Sequence, residues 1–421
     1  MRYLIIGNSA AAIGAVESIR PRDREGEITI LSKEPYYAYS RPLITEYIAD
    51  VFRDEDLTYR GPDFYRENRI QVHLGIKARA VNPKNRVVLT EDGTEHPYDR
   101  LLIATGGTPI VPPIKGLDKE GVFTCTTWDD SKAIKALLPR VKRAVVVGGG
   151  LIGVKAAEGL YEAGVHVTIV ELLPHIMGRI LDAEGAYIFE AYLKGKGLGI
   201  ITGETVVEAL GNGRVEGVRL ASGDTLPCDF LIIAVGVRPN VEEVVEGSGI
   251  RVNQGILVDR HMRTSVPDVY AAGDVAEGDE MLVREKRVIA LWPVAYRQGK
   301  IAGLNMAGED REYEGGFPQN TVSVLGLTTI TIGFTEPPEP NGYKVLMRRG
   351  PGENDYKKLI FKGDVLEGAI LVNSIDRAGI LTGLIRARTE IGSNKERLLD
   401  TRLGLTALPR AWRKEKLTQP V

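Results

Sequence analysis

Gly148-Gly149-Gly150-Leu151-Ile152-Gly153 follows directly on the apolar run Ala144-Val145-Val146-Val147, and glycines at this spacing are what a backbone needs to hold a pyrophosphate. The first makes the turn, the second lets the main chain approach the phosphates, and the third lets helix and strand pack closely. Gly164 would close the helix and Glu171 would end the next strand. Glu171 lies 23 residues past Gly148, where a carboxylate can bond ribose hydroxyls. The pattern predicts that Gly148, Gly150, Leu151, Ile152, Gly153 and Glu171 bind a dinucleotide.

The unit occurs twice. Tyr3-Leu4-Ile5-Ile6-Gly7-Asn8-Ser9-Ala10-Ala11-Ala12 echoes the later stretch at an offset of 141 positions. Gly7 is kept, Ser9 stands at the second glycine position, and Ala12 stands at the third, where alanine is tolerated. Ala10 and Ala11 would open the helix, and Glu34 is the candidate ribose carboxylate of this copy. Both copies run through a helix into a second strand, 27–31 and 165–170, as βαβ units of a parallel sheet require.

These elements imply an α/β chain with two Rossmann-like dinucleotide-binding domains. A buried strand at 230–236 closes the second copy and runs into Val237-Arg238-Pro239-Asn240. A return segment ends at Ala271-Ala272-Gly273-Asp274. From about 319 the texture changes to short β runs at 328–334, 343–347, 357–362 and 365–372. Gly363-Asp364 makes a hairpin signal between the last two, and an amphipathic helix is expected over 376–390. The expected divisions are 1–112 and 241–318 for the first nucleotide domain, 113–240 for the second, 319–403 for a C-terminal α+β domain, and a basic tail at 404–421.

Composition removes several classes of function. The 421 residues are 43% hydrophobic and 26% charged, with 54 Lys plus Arg against 56 Asp plus Glu. A net charge of −2 gives no overall field to gather nucleic acid or anionic lipid. The longest apolar runs, around 144–154 and 230–237, are well short of the roughly 18 residues that span a bilayer. The opening residues could be mistaken for an export signal, but a glycine turn after four strand formers reads as a folded strand-turn-helix. Cys125 and Cys228 are the sole cysteines, so a disulfide framework, an in-chain iron–sulfur cluster and a cysteine zinc site are excluded. A reducing cytoplasm is the natural setting. The histidines show no ligand spacing, and no metal is expected.

Taken together, Gly7 to Ala12 with Glu34, Tyr39-Ser40-Arg41-Pro42, Ala104-Thr105-Gly106, Gly148 to Gly153 with Glu171, Ala234 to Asn240, and Ala272-Gly273-Asp274 with Arg297-Gln298-Gly299 make the chain resemble a known family. It is similar to the pyridine-nucleotide flavoprotein reductases of the glutathione-reductase fold, in particular the NADH:rubredoxin, ferredoxin and nitrite-reductase-type reductases and NADH oxidases. The resemblance implies FAD in the first copy and NAD(H) in the second. It places Arg41 and Pro42 along the flavin, Ala104, Thr105 and Gly106 beside it, Gly236 after the closing strand, and Asp274 on a ribityl hydroxyl at the Gly273 turn. The helix beginning at Pro293 and Val294 would point its positive end at the flavin ring.

Two departures from the family matter. Disulfide-reducing relatives carry cysteine shortly after the first ribose carboxylate, whereas Tyr36-Tyr37-Ala38-Tyr39-Ser40-Arg41-Pro42-Leu43-Ile44 has none. Relatives also pair a Glu two residues after the third fingerprint glycine with a Lys near the flavin; here Lys155 and Glu46 occupy those places, which suggests a charge-swapped catalytic pair.

The expected activity is hydride exchange between NAD(H) and FAD, with single electrons passed to a ferredoxin or rubredoxin. An NADH oxidase and an NADH-switched flavin-bearing binding protein are the alternatives, and a homodimer is compatible with the resemblance. NADH should be preferred to NADPH because Glu171 would face the 2′-phosphate. From Arg386 to Val421, nine Lys or Arg oppose four Asp or Glu, an excess of five positive charges in a chain of net −2. This suggests a docking surface for an acidic partner.

Overall fold

A computed structural model describes residues 1–339 and 341–400, the side chains of Glu243 and Val244 excepted. The expected basic tail at 404–421 lies outside the described residues. The chain divides into two compact units: Met1–Ile110 with Thr126–Trp128 and Val237–Phe317, and Val111–Cys125 with Asp129–Gly236 and Pro318–Val421.

The first unit is built on a five-stranded parallel sheet in the order Val269–Ala271, Arg100–Ile103, Arg2–Ile6, Glu27–Ser32, Ile70–Leu74. Leu4, Ile5, Ile30, Leu101 and Leu102 are buried, as befits central parallel strands covered on both faces. Helix Ala10–Ile19 packs along helix Trp292–Met306, and the contact is made backbone to backbone. A Cβ at Gly14 would lie 2.4 Å from the Tyr296 carbonyl oxygen, at Gly299 2.0 Å from that of Ala11, and at Gly303 2.5 Å from that of Ala15. The unit also contains a small antiparallel sheet, Ala78–Asn82, Val87–Thr90 and Glu95–Pro97, and two smaller sheets.

The second unit repeats the parallel plan with the order Gly199–Thr202, His166–Glu171, Arg143–Val147, Phe230–Ile233, Val122–Phe123. Helices Leu151–Glu162 and Ala183–Lys196 belong to it. It also contains a five-stranded antiparallel sheet ordered Gln319–Val324, Leu327–Gly333, Val365–Val372, Tyr356–Lys362, Tyr343–Arg349. The expected hairpin is present, with Lys362 opposite Val365 and Gly363 at φ +57°. The helix expected over 376–390 is shorter, Ala378–Arg386, because Arg377 and Arg388 adopt left-handed φ of +69° and +48° and interrupt it at both ends. Strand Gln319–Val324 and the antiparallel trio Val206–Leu210, Gly217–Leu220, Thr225–Pro227 were not expected from sequence.

No described helix is long and apolar enough to cross a membrane, and no group of metal-ligating side chains occurs among the described residues.

Candidate functional site

Each unit carries one glycine turn at the carboxyl end of its central strand. Gly7 has φ +109° and Gly148 φ +106°, a region that L residues rarely adopt. The reason for glycine is also steric. A Cβ at Gly7 would lie 2.1 Å from the Ala104 oxygen, and one at Gly148 would lie 2.4 Å from the Ala234 oxygen. Both turns are pinned alike: Gly7 N donates to Leu31 O and Gly148 N to Val170 O, each at 2.8 Å. A Cβ at Gly153 would meet Gly148 O at 1.9 Å, while one at Gly150 would meet nothing within 4 Å. Gly150 therefore borders open space, as a residue facing a pyrophosphate must.

The helices after these turns begin without side-chain caps. Ser9 and Gly150, their N-cap residues, accept no cap bond, and neither does Leu291 ahead of the helix that contains Pro293 and Val294. By contrast, Asp182 caps helix Ala183–Lys196 by accepting from Gly185 N at 2.9 Å. Ala10, Ala11, Leu151 and Ile152 lie in the first turns of the uncapped helices, whose orphan N–H groups suit an anionic ligand.

In the first unit, Ala104-Thr105-Gly106 is bolted to Asn240. Asn240 Nδ2 donates to Thr105 O at 2.9 Å, Asn240 N donates to Gly106 O at 2.9 Å, and Thr105 Oγ1 donates to Asn240 O at 3.0 Å. Gly106 has φ +71° and open space over its Cα. The Gly273 turn, φ +83°, is held by its N–H donating to Gln298 Oε1 at 2.8 Å. Next to it, the half-buried Asp274 carboxylate receives no hydrogen bond among the described residues, and burial raises its pKa against the opposing pull of Arg41. A carboxylate so placed lacks a donor, and a ribityl hydroxyl would supply one. The residues present fit FAD.

Glu34 is engaged from both sides. One oxygen takes the Arg41 guanidinium and the other accepts from Tyr39 OH at 2.6 Å. Burial disfavours the Arg41 charge, but Tyr39 and Glu34 outweigh it and raise the Arg41 pKa. Arg41 also donates to Thr126 O at 3.0 Å, and Pro42 follows in the turn Arg41–Leu43. Tyr36, Tyr39 and Tyr47 surround Trp128, with ring centroids 4.8, 5.5 and 6.3 Å away. An aromatic cluster thus follows the carboxylate where disulfide-reducing relatives carry cysteine.

In the second unit, Glu171 accepts from Leu173 N at 2.8 Å and from Gly149 N, which fixes its carboxylate beside the turn. Gly236 closes the neighbouring strand loop at φ +119°. Lys155, one turn into helix Leu151–Glu162, pairs with Glu158. Glu46 belongs to the first unit, on helix Ile44–Ile48, and accepts from Thr45 Oγ1 at 2.8 Å. Cys125 and Cys228 are buried and form no disulfide, and burial pushes the Cys228 thiol up to about 11.

Asn240 and Gln298 are site-building residues that the sequence reading did not single out. Each lies inside a quoted motif, but its hydrogen-bond partner is distant in sequence, 135 residues for Thr105 and 25 for Gly273. A polar side chain next to a glycine turn was the available signal.

Comparison with known proteins agrees with this geometry. The family described as pyridine nucleotide-disulphide oxidoreductase matches residues 1–299, and the rubredoxin NAD+ reductase C-terminal domain matches residues 318–389. The NADH-dependent phenylglyoxylate dehydrogenase subunit epsilon of Aromatoleum evansii is 33% identical over 417 residues, 98% of this chain and 98% of that one. The NAD(P)H nitrite reductase of Bacillus subtilis is 33% identical over 400 residues, covering 94% of this chain but 48% of the relative, so the chain spans about half the length of that protein. Among solved structures, NADH:rubredoxin oxidoreductase from Clostridium acetobutylicum superposes with a TM-score of 0.77 at 28% identity, covering 94% of this chain and 98% of that one. The chain belongs to the pyridine nucleotide-disulphide oxidoreductases, flavoenzymes whose members bind FAD and NAD(P)H.

Proposed function

We propose that this protein is an NADH-dependent reductase that exchanges a hydride between NAD(H) and FAD and passes electrons singly to a small iron–sulfur protein, a ferredoxin or rubredoxin, in a reducing cytoplasm. The observation that carries the reading is the absence of any usable thiol. The segment after Glu34 has tyrosines in place of cysteine, and Cys125 and Cys228 are 2% and 0% exposed. A relay thiol must form a thiolate in reach of its partner; both thiols are buried, and that of Cys228 is pushed up to about 11. Direct delivery to a one-electron acceptor remains, and the rubredoxin-reductase type of C-terminal domain supports that class of partner.

Bound FAD would supply the change from two-electron to one-electron chemistry. The protein's part is binding and orientation. Gly7, Ser9, Ala10 and Ala11 present backbone N–H groups to the FAD pyrophosphate, Glu34 and Asp274 accept hydroxyls of its sugar parts, and Ala104-Thr105-Gly106, held by Asn240, lies alongside. Gly148, Gly150 and Gly153 do the same for NADH, with Glu171 on the adenosine ribose. A 2′-phosphate about 4 Å from the Glu171 carboxylate is repelled by up to roughly 4 kcal/mol at an effective dielectric near 20, less where water screens it. This is the basis of the preference for NADH. Lys155, paired with Glu158 on the same helix, would hold the carboxamide end of NADH for hydride exchange.

The test is anaerobic reduction with NADH, followed by parallel timing of reoxidation by ferredoxin, rubredoxin, oxygen and a disulfide. Fast reoxidation by an iron–sulfur protein with slow oxygen and disulfide reactions supports the proposal. Oxygen as the fastest acceptor identifies an oxidase, and slow reoxidation by all four identifies an NADH-switched binding protein.

A further inference from the structure

The turn joining strands Gln319–Val324 and Leu327–Gly333 consists of two residues, Leu325 at φ +50° and Gly326 at φ +93°. Two consecutive positive φ angles suit Asn-Gly or Gly-Gly, and Leu in the first place is costly. Something outside the turn holds it. Leu325 N donates to Glu158 Oε1 at 2.7 Å, and Leu325 O accepts from Tyr192 OH at 2.7 Å. Both backbone groups of the strained residue are thus clamped, one by each of the two helices of the nucleotide-type fold.

The same Glu158 carboxylate takes Lys155 on its other oxygen, and Lys155 Nζ also reaches the Ser323 carbonyl at 3.4 Å. The Lys155 and Glu158 side chains are only 20% and 10% exposed, so water competes little for these bonds. The helix that carries them begins at the Gly150 pyrophosphate turn. We propose that Glu158 and the Leu325–Gly326 turn form a bracket that fixes the Lys155 ammonium for hydride exchange, making Glu158 a positioning residue. This inference rests on the reading that places Lys155 at the nicotinamide end of the site.

The experiment compares Lys155→Met, Glu158→Gln, the double variant and Tyr192→Phe in the FAD-loaded full chain. It reads the limiting rate of flavin reduction by NADH, the apparent NADH Kd and the thermal midpoint. Lys155→Met and Glu158→Gln should each slow the limiting rate by about tenfold or more with Kd little changed, because orientation rather than binding is lost. The double variant should be no slower than Lys155→Met within about twofold, since residues acting through one another do not add. In the thermal midpoint, Glu158→Gln should cost less in the Lys155→Met background than alone, because the ammonium that Glu158 serves is no longer present. Tyr192→Phe, which loosens the turn without removing a charge, should slow reduction in the same direction, and it decides the matter if Glu158→Gln does not fold.

A Glu158→Gln enzyme with a lowered midpoint and an unchanged limiting rate overturns the bracket, as do rate effects that multiply in the double variant. A Lys155→Met enzyme that reduces at the wild-type rate overturns the placement of Lys155 itself and the bracket with it. The Lys155→Met arm alone tells that failure from the others.

Discussion

The two glycine turns share nearly all of their backbone and little of their sequence. Gly7 and Gly148 have φ within a few degrees of each other, both donate to the neighbouring strand at 2.8 Å, and both are closed over by the carbonyl of a residue at the next crossover, Ala104 or Ala234. After that first glycine the copies diverge. Ser9 and Ala12 stand where the second copy has Gly150 and Gly153. Ala12 fits as a fully buried side chain, whereas a Cβ at Gly153 would collide with Gly148 O at 1.9 Å. The first copy has moved its close approach to another place, the Ala10–Ile19 and Trp292–Met306 helix pair, where Gly14, Gly299 and Gly303 are the residues without room for a Cβ. What the turn demands of every copy is one glycine; the other small positions follow from what packs against each helix.

The largest effects should come from breaking what the copies share. Gly7→Ala and Gly148→Ala each force a Cβ into a backbone carbonyl at a positive φ, and each should cost about 3–5 kcal/mol or more. Loss of soluble protein or a steep drop in thermal midpoint is the expected result. Equal stability to wild type would show that the turns relax at little cost. The third fingerprint position should separate the copies: Gly153→Ala should destabilise by several kcal/mol through overpacking, while Ala12→Gly should cost only about 1 kcal/mol of helix propensity. Similar midpoints for the two variants would remove the distinction.

The next effects concern ligands. Asp274→Ala should purify with less FAD than wild type, read from the flavin-to-protein absorbance ratio, while its NAD+ affinity stays the same; full FAD retention would free Asp274 of its assigned role. Glu171→Ala should raise kcat/KM for NADPH relative to NADH by about tenfold. An unchanged ratio would mean that Glu171, already bonded to Gly149 and Leu173, does not face the 2′ position. The smallest effect is chemical: Cys228, buried and titrating near 11, should resist alkylation in the folded protein at neutral pH and react only on unfolding. Rapid labelling of the native chain would reopen a thiol route.

The fold was legible where its signals are local. Four-residue apolar runs ahead of glycine turns found the central strands of both sheets, and the Gly363-Asp364 hairpin follows from turn chemistry alone. Strand Gln319–Val324 was missed because polar residues and an exposed alternate face blur its pattern. The site was legible as a set of turns and carboxylates but not as a network. That Asn240 bolts Thr105 in place and that Glu158 grips Leu325 are contacts between residues 135 and 167 positions apart, a separation that leaves no periodic trace. The glycines of the paired helices were likewise visible only as composition, since a close approach needs both helices before it can be recognised.

The central claim is that one kind of turn holds two different dinucleotides, FAD in the first unit and NAD(H) in the second. Gly150→Val tests it most directly, because the added Cβ enters open space at an ordinary φ of −76°. The measurement is FAD content together with anaerobic reduction by NADH and, separately, by dithionite. The account predicts a yellow enzyme with the wild-type FAD content that dithionite reduces and NADH does not. A Gly150→Val enzyme that loses FAD, or one that NADH still reduces at the wild-type rate, would contradict it.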